Sequence, residues 1–221
     1  MDVAKAVAER RSIRCFKPDE VPEDLVREIL DQARWSPSWG NTQPWEFYVL
    51  TGKVLAEFRD ANRKNLQDRV LESPDVPMPL HWPESLKKRR SDLAERFLSS
   101  LSIGREEKEA RMQFYTDLYG LFEAPCLILT CIDRSLSIEY AMLDAGLINQ
   151  TICLLAHEKG LGTCIMAASV SYAGLIREAA SIPEEKIIVI GVTLGYPDRD
   201  SPINQFQRER EDIDKVVTWV R

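Results

Sequence analysis

Apolar positions along this chain recur with two periods, one helical and one extended. Residues 2–10 suit a short helix. A second follows Pro22-Glu23-Asp24 and places Leu25, Ile29, Leu30 and Ala33 on one face, with Pro37 as its stop. A polar loop over residues 36–44 then leads into a short strand at 46–50. Pro74, Pro77, Pro79 and Pro83 crowd one stretch, which therefore reads as extended loop. Two charged amphipathic helices come next. The first, at 84–101, carries Leu86, Leu93, Phe97, Leu98 and Leu101; the second, at 105–121, leads to Phe122 and carries Met112, Tyr115 and Tyr119.

Residues 126–132 are an unbroken apolar run of strand length, as expected for a strand covered on both faces. A long helix at 138–158 is apolar around most of its cylinder, so it belongs in a core or a subunit interface, and Gly160 ends it. A strand at 187–194 closes on Gly195-Tyr196-Pro197, and the tail at 215–220 looks extended. Strands mixed with longer helices predict an α+β or α/β sandwich.

Composition narrows the function. The chain has 221 residues, 44% hydrophobic and 29% charged, which suits a folded domain with a sizeable core. The formal net charge of -6 argues against a duplex nucleic-acid binder. No apolar run is long enough for a membrane span, and Met1-Asp2-Val3-Ala4-Lys5 lacks the pattern of a secretion signal, so a cytoplasmic protein is expected. The cysteines Cys15, Cys126, Cys131, Cys153 and Cys164 include no C-x-x-C pair, and the histidines are only His81 and His157; no metal site is expected.

Four clusters could carry chemistry. Arg10-Arg11-Ser12-Ile13-Arg14 presents guanidinium forks suited to phosphate oxygens, although a solvated basic turn has the same sequence. Residues 36–45 are dense in amides and hydroxyls, which suits recognition of a flat heterocycle with mixed edges, and also suits a capped turn. Gly160-Leu161-Gly162-Thr163-Cys164 fails as a dinucleotide fingerprint, because Ile165 stands where the third glycine belongs. The last cluster runs from Asn204 to Arg210. No paired carboxylates and no Ser–His–Asp set stand out. Anion and heterocycle binders without acid–base machinery imply chemistry delegated to a cofactor.

The order R-R-S-x-R, S-P-S-x-x-N-x-Q-P-W, G-L-G-T-C, G-Y-P-D and N-x-F-x-x-E-R resembles the flavin-dependent nitroreductase family from about residue 8 to 221. The 66–122 stretch is similar to the subgroup that reduces nitroaromatics. The resemblance implies one α+β domain over residues 1–221: a three-layer sandwich, with a mixed central sheet flanked by helices, in an intertwined homodimer. Residues 66–122 would form a proline-rich loop and helical lid inserted in it. It also implies FMN, with NADH or NADPH as electron donor, and a small aromatic substrate reduced by ping-pong hydride transfer through flavin N5. No catalytic side chain is expected.

By the same resemblance Arg10, Arg11, Ser12 and Arg14 grip the FMN phosphate and ribityl chain, with Arg208 or Arg210 closing over them. Pro37, Ser38, Trp39 and Asn41 reach across from the partner subunit. Met166, Ala167 and Ala168 lie along the isoalloxazine. Some relatives have Glu-Gly in place of Ala167-Ala168, which leaves a backbone role there. Trp82, Phe114 and Tyr115 are possible stacking residues, with core packing as the plainer role. Relatives of the same fold dehalogenate, reduce activated alkenes or cleave flavin, and a non-catalytic flavin-binding module is the remaining alternative.

Overall fold

The computed structural model describes residues 2–221. Among them, the sheet has four strands: β1 (Trp45–Thr51), β2 (Cys126–Asp133), β3 (Gly162–Met166) and β4 (Lys186–Gly195), in the order β1-β2-β4-β3. Every neighbouring pair is antiparallel. The helices are α1 (Val3–Glu9), α2 (Glu23–Ala33), α3 (Gly52–Gln67), α4 (Glu84–Ser100), α5 (Lys108–Tyr119), α6 (Ile138–Glu158), α7 (Ala173–Ala179) and α8 (Pro202–Gln205).

The parity of β2 explains the layers. Cys126 and Ile128 pack with Val26, Ile29 and Ala33 of α2 and with Ile148, Ile152 and Ala156 of α6. Leu127, Leu129 and Cys131 point the other way, into a cluster with Leu55 and Phe58 of α3, Tyr119 of α5 and Ile176 of α7. Alternate side chains of a strand face opposite sides, so a strand covered twice reads as a continuous apolar run. The result is the expected three-layer sandwich.

Strand direction differs from the mixed sheet expected. β2, α6 and β3 form a crossover that leaves β2 and β3 pointing the same way, but β4 is inserted between them, antiparallel to both. Parallel pairing is confined to isolated bridges at Ser12↔Thr163 and Ser73↔Tyr172.

The long helix ends as its sequence requires. Gly160 adopts φ 80°, its N–H donates to the His157 carbonyl at 3.0 Å, and the Leu161 N–H donates to the Ala156 carbonyl at 2.9 Å. These are the two bonds of a Schellman cap. At Gly191, a Cβ would meet Leu127 Cδ1 at 2.9 Å and collide with the Ser169 hydroxyl, so only glycine lets β4 lie under the turn after β3.

Several expected elements shift. α2 stops at Ala33, before Pro37, because the chain turns at once through Arg34–Ser36. On α5, Met112 and Tyr115 face outward while Phe114 and Leu118 pack on the core, because α5 docks on α3 by that face; Phe122 lies past the helix in a left-handed turn. Only Phe97 and Leu98, near the end of α4, are buried, and Leu86 and Leu93 remain exposed. The tail is a 3-10 turn at Ile213–Lys215 followed by irregular chain, with no strand among the described residues.

Candidate functional site

After α1 the chain runs beside β3. The Ile13 N–H donates to the Thr163 carbonyl at 2.9 Å, and Ile13 is buried against Gly162. A Cβ on Gly162 would meet Ile13 Cγ1 at 2.6 Å, so this glycine sets the close approach. The approach fixes the arginines around it. Arg11 donates to the carbonyls of Asn204 at 2.9 Å and Phe206 at 3.0 Å. The Arg14 guanidinium lies over the Phe97 ring, 4.8 Å from its centroid. Arg208 donates to the carbonyls of Arg10 and Ala8. Arg210 is exposed and bonds the adjacent Glu209 carbonyl at 2.8 Å, so the tail arginine aimed into the cluster is Arg208.

Among the described residues, none of Arg10, Arg11, Arg14, Arg208 and Arg210 pairs with a carboxylate. The Arg10 Nε is buried without a partner. Burial, then the charges of Arg10, Arg11 and Arg210, push the Arg208 guanidinium below its ordinary pKa. Clustered cations unpaired with carboxylates suit an anion, while Glu9, on the same cavity as Arg10 and Arg11, lies 3.6 Å from His157 Nε2. Beneath them, burial raises the Cys164 thiol, with Arg14, Ser12 and Arg10 opposing.

Asn204 staples the two chain ends together. Its Nδ2 donates to the carbonyls of Cys15 at 2.8 Å and Asp198 at 2.7 Å, and its Oδ1 accepts from the Arg14 N–H at 2.7 Å. The sequence marks this stretch as a candidate cluster, but the staple itself is not legible there. The only local signal was an asparagine two residues before a phenylalanine in the final motif.

The polar loop is built into a fixed shape on α6. The Trp39 N–H donates to both oxygens of buried Asp144, at 3.1 and 3.2 Å. The Gln43 N–H donates to the Ser38 hydroxyl at 2.9 Å, and Gly40, Asn41 and Gln43 all have positive φ. Trp39 stacks obliquely on Tyr140 with centroids 5.7 Å apart. Trp39 thus sits over the N-terminal half of α6, while Ser36, at the start of the loop, donates to the Thr151 hydroxyl at 2.7 Å, further along the helix. The arginines sit at its other end, where Arg10 and Arg11 line a small cavity with His157. From Asp144 to His157 is about 20 Å along a helix. Within one chain Trp39 and that cavity therefore lie apart.

Met166 ends β3, and Ala167 and Ala168 open the 3-10 turn after it. They lie about 10 Å along the strand from Thr163 and the arginines. Buried Asn62 of α3 holds this end: its Nδ2 donates to the Ala168 carbonyl at 3.0 Å and the Tyr119 carbonyl at 2.7 Å. Burial, then the hydrogen bond to Glu72, raise the Tyr119 pKa. Of the possible stacking residues, Trp82 and Tyr115 are exposed, whereas Phe114 is wedged among Phe97, Tyr115 and Phe122 at 5.8 to 6.0 Å.

A cationic end at the arginines and an apolar end at Met166, Ala167 and Ala168 thus lie along β3, at the edge of a helix-covered sheet. The Nitroreductase family sequence model matches residues 7–196, and the chain belongs to that family. It is 33% identical over 215 residues to a 4-nitrobenzoate reductase of Nocardioides sp. (strain LMS-CY), covering 96% of this chain and 87% of that one. A 4-nitrobenzoate reductase of Pseudomonas putida is 31% identical over 95% of this chain and 92% of its own. The FMN and NADPH-dependent nitroreductase NfnB from sphigopyxis sp. strain HMH superposes with a TM-score of 0.95 at 27% identity, over 100% of both chains. Among the described residues, no helix is long and apolar enough to cross a membrane.

Proposed function

We propose that this chain is an FMN-dependent oxidoreductase that takes electrons from NADH or NADPH and reduces nitroaromatic or similarly flat electrophilic compounds. The observation that carries this is the cluster of arginines without carboxylates at one end of a backbone-lined strip. The phosphate of FMN is a dianion, and charge-assisted bonds from guanidinium groups are the strong ones. Arg10, Arg11, Ser12 and Arg14 hold that phosphate and the ribityl chain, and Arg208 closes from the tail with Arg210 adding field. Met166, Ala167 and Ala168 line the ring through their main chain. FMN held there would supply hydride transfer between the nicotinamide and the second substrate.

The loop residues Pro37, Ser38, Trp39 and Asn41 complete the site from a partner subunit. On the outer face of α6, Tyr140 (57% exposed), Leu143 (59%) and Leu147 (38%) form a stripe at helical spacing. Two copies pairing antiparallel along this stripe would bring the loop of one beside the arginines of the other. The tail offers a second contact: Ile213, Val216, Trp219 and Val220 are exposed, and α2 with edge strand β1 frames a cavity of about 1100 Å³. A tail crossing into it would make the dimer intertwined. Residues 66–122 form the lid inserted in the single domain, and the protein works in the cytoplasm.

Purification tests this reading. A yellow protein with FMN bound, bleached by NADH or NADPH and recoloured by 4-nitrobenzoate, is expected. A colourless protein that does not bind added FMN refutes it.

A further inference from the structure

The basic helix α4 leans on the arginine cluster at two points. At its C-terminal end, Phe97 is 9% exposed and lies beneath the Arg14 guanidinium, 4.8 Å from ring centroid to Cζ. The same ring meets Phe206 edge-on at 5.1 Å, and Phe206 is the residue whose carbonyl accepts from Arg11 at 3.0 Å. On its tail-facing side, Arg96 pairs with Glu209, and Arg89 pairs with Glu211 at 2.6 Å. Glu209 directly follows Arg208, whose guanidinium rests on the carbonyls of Arg10 and Ala8.

We propose that α4 is the positioning half of the phosphate clamp, with Phe97 setting the direction of Arg14 while Arg96 and Arg89 hold the tail that carries Arg208. This rests on the flavin reading of the site. Like charges this close repel, and without fixed partners each guanidinium would swing into water. Arg11 and Arg208 are held by carbonyls, whereas Arg14 is held by the negative face of an aromatic ring. The clamp is thus ordered before its anion arrives, which removes part of the ordering cost of binding.

The test compares FMN with riboflavin, which has the same ring but no phosphate, by quenching of flavin fluorescence. Phe97→Leu keeps an apolar side chain but removes the ring under Arg14. It is expected to raise the Kd for FMN by roughly 3- to 30-fold and leave that for riboflavin unchanged. In an Arg14→Ala background the same substitution is expected to have no further effect on FMN, since Phe97 acts through Arg14. The exposed pair Arg89→Gln/Arg96→Gln, which does not touch the core, is expected to weaken FMN binding roughly 2- to 10-fold at low salt. That loss should vanish at high salt. Lys87→Gln/Lys88→Gln removes equal charge from the same helix away from the tail and is expected to change nothing.

Equal FMN affinity in wild type, Phe97→Leu and Arg89→Gln/Arg96→Gln overturns the clamp but leaves the flavin reading intact. So does an equal loss for riboflavin, or a Phe97→Leu effect that persists without Arg14. A wild-type protein that binds neither flavin overturns the functional reading itself.

Discussion

Replacing Asn204 by alanine removes three side-chain hydrogen bonds at a position only 5% exposed. The Asp198 carbonyl and the Arg14 N–H each lose a partner, while the Cys15 carbonyl keeps the Asp198 N–H at 3.1 Å. An unsatisfied buried group costs about 1–3 kcal/mol, but these partners are half-buried and water reaches some of them. The expected loss is therefore about 2–4 kcal/mol, a large share of a typical domain's stability. For a chain of this size that corresponds to a fall in Tm of about 4–16 °C. Urea unfolding of the apoprotein followed by circular dichroism is the assay, with an unchanged dependence on denaturant. Because Asn204 also fixes the Arg14 backbone and the carbonyl under Arg11, FMN affinity should fall with it. A loss below about 0.5 kcal/mol would refute the staple and place Asn204 among ordinary surface residues.

Further outcomes follow from other parts of the structure. Arg14→Ala should weaken FMN binding by about 1.5–3 kcal/mol in a flavin titration, as expected for a charge-assisted phosphate bond. Gly191→Ala forces a methyl against Leu127 and Ser169 and should cost about 1–3 kcal/mol in urea unfolding. Asp144→Ala leaves the Trp39 N–H without its acceptor, so proteolysis within residues 37–43 should accelerate while α6 stays intact by circular dichroism. In the folded protein only Cys15 should react readily with a thiol reagent near pH 8, since Cys126, Cys131, Cys153 and Cys164 are buried. Burial pushes Cys126 and Cys131 from 9.0 up to about 12. Their protonated form is favoured by folding, so the stability they contribute is full below pH 9.0 and is lost as pH rises toward 12, measurable as a falling urea midpoint.

Local signals located the long elements. The helix at 138–158 was legible to the residue because its apolar period ends on a glycine cap, and β2 was legible because a doubly covered strand has no polar face. Four elements leave no local signal, the single-turn α8 among them. α3 begins on Gly52 at positive φ and carries a polar asparagine in its buried face. β3 is five residues long and lies inside a glycine motif, and α7 is only two turns. The family resemblance supplied the three layers, which the structure has. It also supplied a mixed sheet, where the placement of β4 between β2 and β3 makes every ladder antiparallel.

By itself the sequence determined which residue types could bind an anion and a flat ring, and in which blocks they lie, because those properties belong to single side chains and their near neighbours. Only the tertiary structure decided which blocks meet. Arg14 and Asn204 are 190 positions apart and share a hydrogen bond, Asn62 joins α5 to the end of β3, and mid-chain Phe97 lies under an arginine from near the N-terminus. Such partners leave no periodic trace, since their proximity comes from how helices and strands pack and not from spacing along the backbone.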